Sequence, residues 1–328
     1  MADTFIAVPA TAGAVGELSA LDPTNCFATA SYFDARKRTG DKTFLLSLRS
    51  SDNELRCGCG AFLRVGRFNR SLGIASLPKL DAANPFWNGL RGFCREHKVT
   101  LLELGTFGSP SGVEIPEIGE RFTTRPRMEF VVDLRTDLPS ILGSNHKRNV
   151  KRGAKSGLVV QRTRSAEGTA KHHELMNLSL NRRRERGEDV PDEVSPDIAA
   201  FLEAKAGELF QAVSENVVLS SVLVLRSRSG AYYQTAGTSA EGMAAGASHF
   251  LIHNIALALR AEGVEVFNLG GGDEASTLAR FKEGFGATPV KLIAADCFVG
   301  SPLQRRVGRL IELATSDRAS LKKLLLGR

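Results

Sequence analysis

Two hydrophobic periods take turns along this chain: short apolar or alternating runs of strand length, and longer stretches with apolar residues at helical spacing. In the first half, Phe27–Arg38 and Pro85–Lys98 read as helices. Thr43–Arg49, Leu55–Val65, Val99–Leu104 and Met128–Leu134 read as strands. Between the last two strands, Gly105–Thr124 is rich in Gly, Ser and Pro and reads as a long surface loop, the kind that often carries function. A helical pattern then runs from about Thr136 to Ser156, with Gly157 placed to stop it. The second half reads as strand Leu158–Arg162, helices Glu167–Arg184 and Pro196–Phe210, and strands Val217–Arg226 and Ala231–Thr238. Helix Ala247–Glu262, strand Val264–Leu269, a short helix around Ser276–Phe285, strand Val290–Cys297 and a basic helical tail complete it. This alternation predicts a mixed α/β (α+β) fold, and 328 residues give room for two domains of ordinary size.

The stretch Val264–Ala287 holds the densest candidate chemistry. A short apolar run ends in Gly270, Gly271 and Gly272, followed by the acidic pair Asp273-Glu274 and by Lys282 between Phe281 and Phe285. Glycines at a strand end let a ligand approach the backbone closely and leave N–H groups uncovered. That suits a carbonyl, an oxyanion or a phosphate, although a plain flexible turn has the same composition.

Composition narrows the classes. The chain is 42% hydrophobic and 24% charged, as expected of a globular protein, and no apolar run approaches the roughly 20 residues of a membrane span. The N-terminus has no basic region ahead of its weakly apolar stretch, which points to the cytoplasm rather than export. Cys26, Cys57, Cys59, Cys94 and Cys297 read as reduced structural thiols, since Cys57-Gly58-Cys59 lacks zinc-hook spacing. His249 and His253 lie four apart on a helix with no third ligand in view, so no metal is expected.

The net charge of +7 is concentrated in two segments. Asn145–Lys155 carries Lys147, Arg148, Lys151, Arg152 and Lys155 with no acid, and Ser301–Arg328 carries seven basic residues against two acids. Outside them the chain is net acidic. On one helix the first group forms a stripe whose charges repel one another, which favours an anionic partner. A solvated helix face is the plainer alternative.

The order of elements in the second half is similar to that of a GNAT acyltransferase domain. Three segments resemble the FemABX family and its related acyltransferases: the basic helix Ser144–Arg152 ending at Gly157, the amphipathic helix Ser248–Gly263, and the strand, glycine run and aromatic-lysine segment Val266–Gly286. They span nearly half the chain. The resemblance implies two tandem GNAT-like domains, each a mixed, twisted sheet flanked by helices, at residues 1–138 and 139–300. It also implies a C-terminal helix, 301–328, packing back on the first domain. Asn268 departs from the family, which is expected to carry an acid there.

The implied activity is N-acyl transfer to an amine, forming an amide. In FemABX proteins the donor is an aminoacyl-tRNA; in related enzymes it is acyl-CoA. The segment Glu241–Ala247 has its glycines at the wrong spacing for a CoA pyrophosphate loop and begins with an acid. Transfer from aminoacyl-tRNA to a small-molecule or peptide amine is therefore the favoured expectation, with tRNA as partner and no separate cofactor. An acyl-CoA enzyme, or a non-enzymatic nucleic-acid-binding protein, are the alternatives. Lys282 is expected to face the developing negative charge, with Asp273 and Glu274 as proton acceptors. Tyr232 and Tyr233 alternate on one strand, so one should face the cleft, and Tyr233 is the candidate. Gly270, Gly271, Gly272, Phe281, Phe285, Lys147, Arg148, Lys151 and Arg152 are the expected substrate contacts.

Overall fold

A computed structural model describes residues 3–66, 69–188 and 197–300. The basic tail 301–328 and the prolines Pro191 and Pro196 lie outside the described residues. In chain order the strands are β1 (Thr4–Pro9), β2 (Lys42–Arg49), β3 (Leu55–Val65), β4 (Arg70–Ile74), β5 (Leu101–Leu104) and β6 (Glu120–Asp133). The second half adds β7 (Val159–Thr163), β8 (Gly207–Ser214), β9 (Val217–Arg226), β10 (Gly230–Thr238), β11 (Val266–Gly271) and β12 (Thr288–Phe298). The helices of the first half are α1 (Ala12–Leu21), α2 (Ala30–Arg38) and α3 (Pro85–Glu96). Those of the second are α4 (Leu138–Ile141), α5 (Ser144–Lys155), α6 (Ala166–Glu185), α7 (Ile198–Glu203), α8 (Ala240–Ala245), α9 (Ala247–Ala261) and α10 (Thr277–Glu283).

Among the described residues all the strands join one sheet, in the order β1-β2-β3-β4-β5-β12-β6-β11-β10-β9-β8-β7. The fold is mixed α/β, as its alternating periods predict. Only β4–β5 and β10–β11 pair in parallel. Strands from the two halves interleave at the centre: β6 inserts between β11 and β12, and β12 in turn pairs with β5. The sheet thus runs unbroken past residue 138, and the residues of β6 stand beside those of β11.

Helices cover both faces. On one, α9 lies over β8, β9 and β10 and buries Leu251, Ile252, Ile255 and Leu259, a stripe at helical spacing, in one cluster with Phe130, Val132, Phe267 and Leu269 of β6 and β11. Each such side chain gains about 1.5–3 kcal/mol on leaving water. On the other face, Ile198 and Phe201 of α7 pack with Phe27, Tyr32, Leu223 and Tyr232, tying the two halves together. A third cluster under α3, with Trp87 and Phe93, fills the outer part of the first half.

Several expectations need correction. The helix expected to reach Phe210 ends at Glu203, and Gly207–Ser214 is instead strand β8, buried along almost its whole length between α9 and the pair α6–α7. Buried on both faces, with Glu208 and Gln211 among its apolar residues, this segment has no clean period with which to tell helix from strand. The loop Gly105–Thr124 gives way to β6 already at Glu120. The helix from Thr136 to Ser156 is broken at Leu142–Gly143, where the Gly143 N–H donates to Gly284 O. The first-half elements β1, α1 and β4, and the short α8, had no counterpart in the sequence pattern.

Candidate active site

β10 and β11 pair over only three residues, Gly230↔Val266, Ala231↔Phe267 and Tyr232↔Asn268, and then part. Two irregularities drive the separation. β10 bulges between Tyr233 and Thr235, and β11 shifts its register against β6 between Asn268 and Gly271. Gly270 stands where the strands diverge, at φ +75°, a conformation that suits glycine. A Cβ there would lie 3.1 Å from Tyr233 O, 3.8 Å from the Tyr232 hydroxyl and 3.9 Å from Lys282 Nζ. A Cβ would thus already crowd Tyr233 O, and a phenol and an ammonium stand at the edge of the wedge.

Lys282 reaches the wedge from α10, on the α9 face of the sheet. It is 6% exposed, donates to Gly271 O at 2.5 Å and lies 5.7 Å from the centroid of the Phe130 ring. Burial pulls its ammonium down from 10.5 to about 8, while Glu129 acts in the opposite direction.

From the other face comes a network centred on Glu129 of β6, which is 1% exposed. Its carboxylate accepts from Gly108 N at 2.9 Å, Arg127 Nη2 at 2.8 Å, the Tyr232 hydroxyl at 2.8 Å and Asn268 Nδ2 at 2.7 Å. Four donors satisfy a carboxylate whose desolvation would otherwise be prohibitive. The Arg127 guanidinium in turn stacks 3.9 Å over Phe107. Burial and the adjacent Glu129 hold the Tyr232 phenol protonated, well above its ordinary range. The same network explains Asn268. Its amide donates to Glu129 and its Oδ1 accepts from Gly270 N at 2.8 Å, whereas an acid there would face a second buried carboxylate.

Beside this network, between the two halves, lies a cavity of about 970 Å³ lined by Phe27, Phe107, Phe201, Arg125, Arg127, Gln234 and Thr235 among others. A smaller one of about 310 Å³, on the far side of Phe27, reaches Glu129, Tyr232 and Asn268.

The expected site residues divide. Lys282 and Gly270 meet at the wedge. The glycine run is not a row of free donors: Gly270 N–H is taken by Asn268, Gly272 N–H donates to Met128 O at 3.1 Å, and Gly271 O receives Lys282. Asp273 and Glu274 are corrected: both are exposed, and Glu274 pairs with Lys291 at 3.2 Å. Nor does Asp273 cap α10, because Ser276 does so. Tyr233 is also corrected. It packs into the core behind the sheet, burial raising its phenol far up, and Tyr232 is the one that faces the wedge. Phe281 and Phe285 do not line the wedge. They enclose His146 and His249, with His146 Nε2 2.8 Å from Phe281 O, and dock α10 onto α5 and α9.

Lys147, Arg148, Lys151, Arg152 and Lys155 project from the exposed side of α5, and none forms an ion pair among the described residues. Arg152 donates to Ala244 O at 3.0 Å, which brings the helix against α8. Sequence reasoning missed Arg127 and Glu129. Their signal was a pair of charges on alternate positions of one strand whose intervening residues are apolar.

No helix among the described residues is long and apolar enough to cross a membrane. Among the same residues no group of three or more His, Cys, Asp or Glu side chains could hold a metal ion.

Residues 143–283 match the family model of the acetyltransferase (GNAT) domain. That segment, which carries β10, β11 and Lys282 of the wedge, is similar to a GNAT acyltransferase domain in sequence and in fold. The fold is similar to that of FemX, with a TM-score of 0.64 at 13% identity, covering 92% of this chain and 99% of the other. It is also similar to a tandem GNAT protein of the clavulanic acid biosynthesis pathway, with a TM-score of 0.54 at 13% identity over 91% and 99% of the two chains. L-PGS from Bacillus licheniformis aligns with a TM-score of 0.54 at 13% identity over 92% and 98%. No curated protein matches the chain by sequence.

Proposed function

We propose that the enzyme transfers an aminoacyl group from aminoacyl-tRNA to the amine of a small-molecule or peptide acceptor, forming an amide. The donor's carbonyl enters the wedge between β10 and β11, and the acceptor approaches from the inter-domain cavity. The neutral amine attacks the carbonyl carbon, and the charge that develops on oxygen is met by the Lys282 ammonium, which keeps two N–H donors beyond its bond to Gly271 O. As the intermediate collapses the C–O ester bond breaks and the C–N bond remains. The proton lost by the amine leaves with the departing ribose oxygen, so no side-chain base is required. The role of Arg127, Glu129, Tyr232 and Asn268 is to hold the wedge open in one geometry.

The donor assignment is carried by the five exposed basic side chains of α5, which meet no acid among the described residues. Arg152 ties α5 to α8, where a CoA pyrophosphate would need free backbone N–H groups. There the Ser239 hydroxyl already takes Gly242 N at 2.9 Å, and Glu241 places a negative charge in the first turn. The fold is shared both by FemX and by a tandem GNAT protein whose structure is described as lacking AcCoA, so acyl-CoA is the second reading. The two separate by binding. With a tRNA donor, charged tRNA binds with an affinity that falls steeply as salt rises, and CoA leaves the melting temperature unchanged. A saturable thermal shift with CoA, without salt-sensitive tRNA binding, overturns this assignment.

A further inference from the structure

The mechanism above leaves one buried polar chain unused. His172 of α6 is fully buried, with Nδ1 2.8 Å from Ser221 Oγ and Nε2 3.0 Å from Thr235 Oγ1. Ser221, equally buried on β9, also receives Gln211 Nε2 at 3.4 Å. Gln211 is itself oriented, because the same nitrogen donates to Gly168 O at 3.1 Å.

These contacts fix a direction. Gln211 can only donate to Ser221, and among the described residues His172 Nδ1 is the one acceptor within reach of the Ser221 proton, which a fully buried hydroxyl has to place. With Nδ1 accepting, the single proton of a neutral imidazole sits on Nε2 and is donated to Thr235 Oγ1. Burial, reinforced by the neighbouring His173, lowers His172 to about 3, so a second ring proton is absent at working pH. Thr235 Oγ1 then accepts from the ring and has its own proton to give. It lies just past the β10 bulge and lines the inter-domain cavity, where no protein acceptor meets its hydroxyl among the described residues.

We propose that Thr235 is a fixed hydrogen-bond donor in the inter-domain cavity, oriented by His172, and that it recognises a carbonyl or carboxylate oxygen carried by the acyl acceptor. An ammonium would meet a proton at this position, so the reacting amine sits elsewhere and the oxygen-bearing group is a second point of attachment. The proposal rests on the cavity taking the acceptor; His172 is a positioning residue and touches no substrate.

Two measurements test it. Nitrogen-15 NMR of histidine-labelled protein should show His172 as the Nε2–H tautomer, unchanged across neutral pH. An Nδ1–H tautomer, or titration near neutrality, overturns the proposal, and this arm needs no substrate. The second arm compares glycinamide with ethylamine, which lacks the oxygen, as acceptors. Thr235→Val should raise KM about tenfold for glycinamide and leave ethylamine unchanged, and Thr235→Ser should restore wild-type values. Equal effects of Thr235→Val on both amines overturn it. Wild-type inactivity toward every amine counts against the acyl-transfer reading, whereas the tautomer reports on the relay alone.

Discussion

Replacing Lys282 by methionine separates what the residue costs the fold from what it contributes to the reaction. In the folded protein its ammonium is buried and titrates at about 8, against 10.5 when unperturbed. Below pH 8 both states carry the proton, and the fold bears the full cost of a buried cation. Between 8 and 10.5 the unfolded chain alone holds the proton, so stability rises with pH, and above 10.5 the cost is gone. At about 1.4 kcal/mol per pH unit, the cost at neutral pH is about 3 kcal/mol. Methionine fills a similar volume without charge, and its folding carries no such dependence. Urea unfolding of both proteins at pH 7 and pH 10 measures the effect. Relative to Lys282→Met, the wild type should gain most of that 3 kcal/mol on going to pH 10. In the same variant, turnover should fall at least a hundredfold at pH 7 with little change in KM, as for loss of an oxyanion donor. A stability gap independent of pH would refute the buried cation, and retained turnover would refute its role.

Other substitutions test neighbouring parts of the site. Glu129→Gln removes the charge that supports the Lys282 ammonium and Arg127, so the high-pH edge of the rate profile should move to lower pH. Breaking this buried pair should also cost on the order of 3 kcal/mol in denaturant unfolding. Gly270→Ala puts a side chain at φ +75° and 3.1 Å from Tyr233 O. It should cost about 1–3 kcal/mol and abolish transfer out of proportion to that loss, measured by unfolding and activity together. Changing Lys147, Lys151 and Lys155 together to alanine should leave the melting temperature within a few degrees and reduce the log–log salt slope of tRNA binding by about two to three.

The sequence made the second half legible because its elements have clear punctuation. Gly157 at φ +71° ends α5, the Leu251–Leu259 stripe defines α9, and the glycines after Leu269 mark the end of β11. What stayed hidden depends on contacts between elements remote in sequence. Glu129 and Asn268 are 139 residues apart, and they meet only because β6 inserts beside β11. Likewise, alternation could say that one of Tyr232 and Tyr233 faces the wedge, but not which, until the packing of Tyr233 against the α9 face decided it. Phe281 and Phe285 looked like ligand contacts because they flank Lys282. Their rings are occupied instead by the histidines that lock α10 in place. The exposed Asp273 and Glu274 show that closeness in sequence to a buried lysine does not place a carboxylate beside it.

The central claim is tested most directly by following a labelled amino acid from charged tRNA into an amine product with the purified protein, and its Lys282→Met variant as control. The account predicts an amide product that forms with the wild type only, disappears on treatment with ribonuclease, and is not formed from acetyl-CoA. A ribonuclease-insensitive product made from acetyl-CoA, or equal product from the Lys282→Met variant, would contradict it.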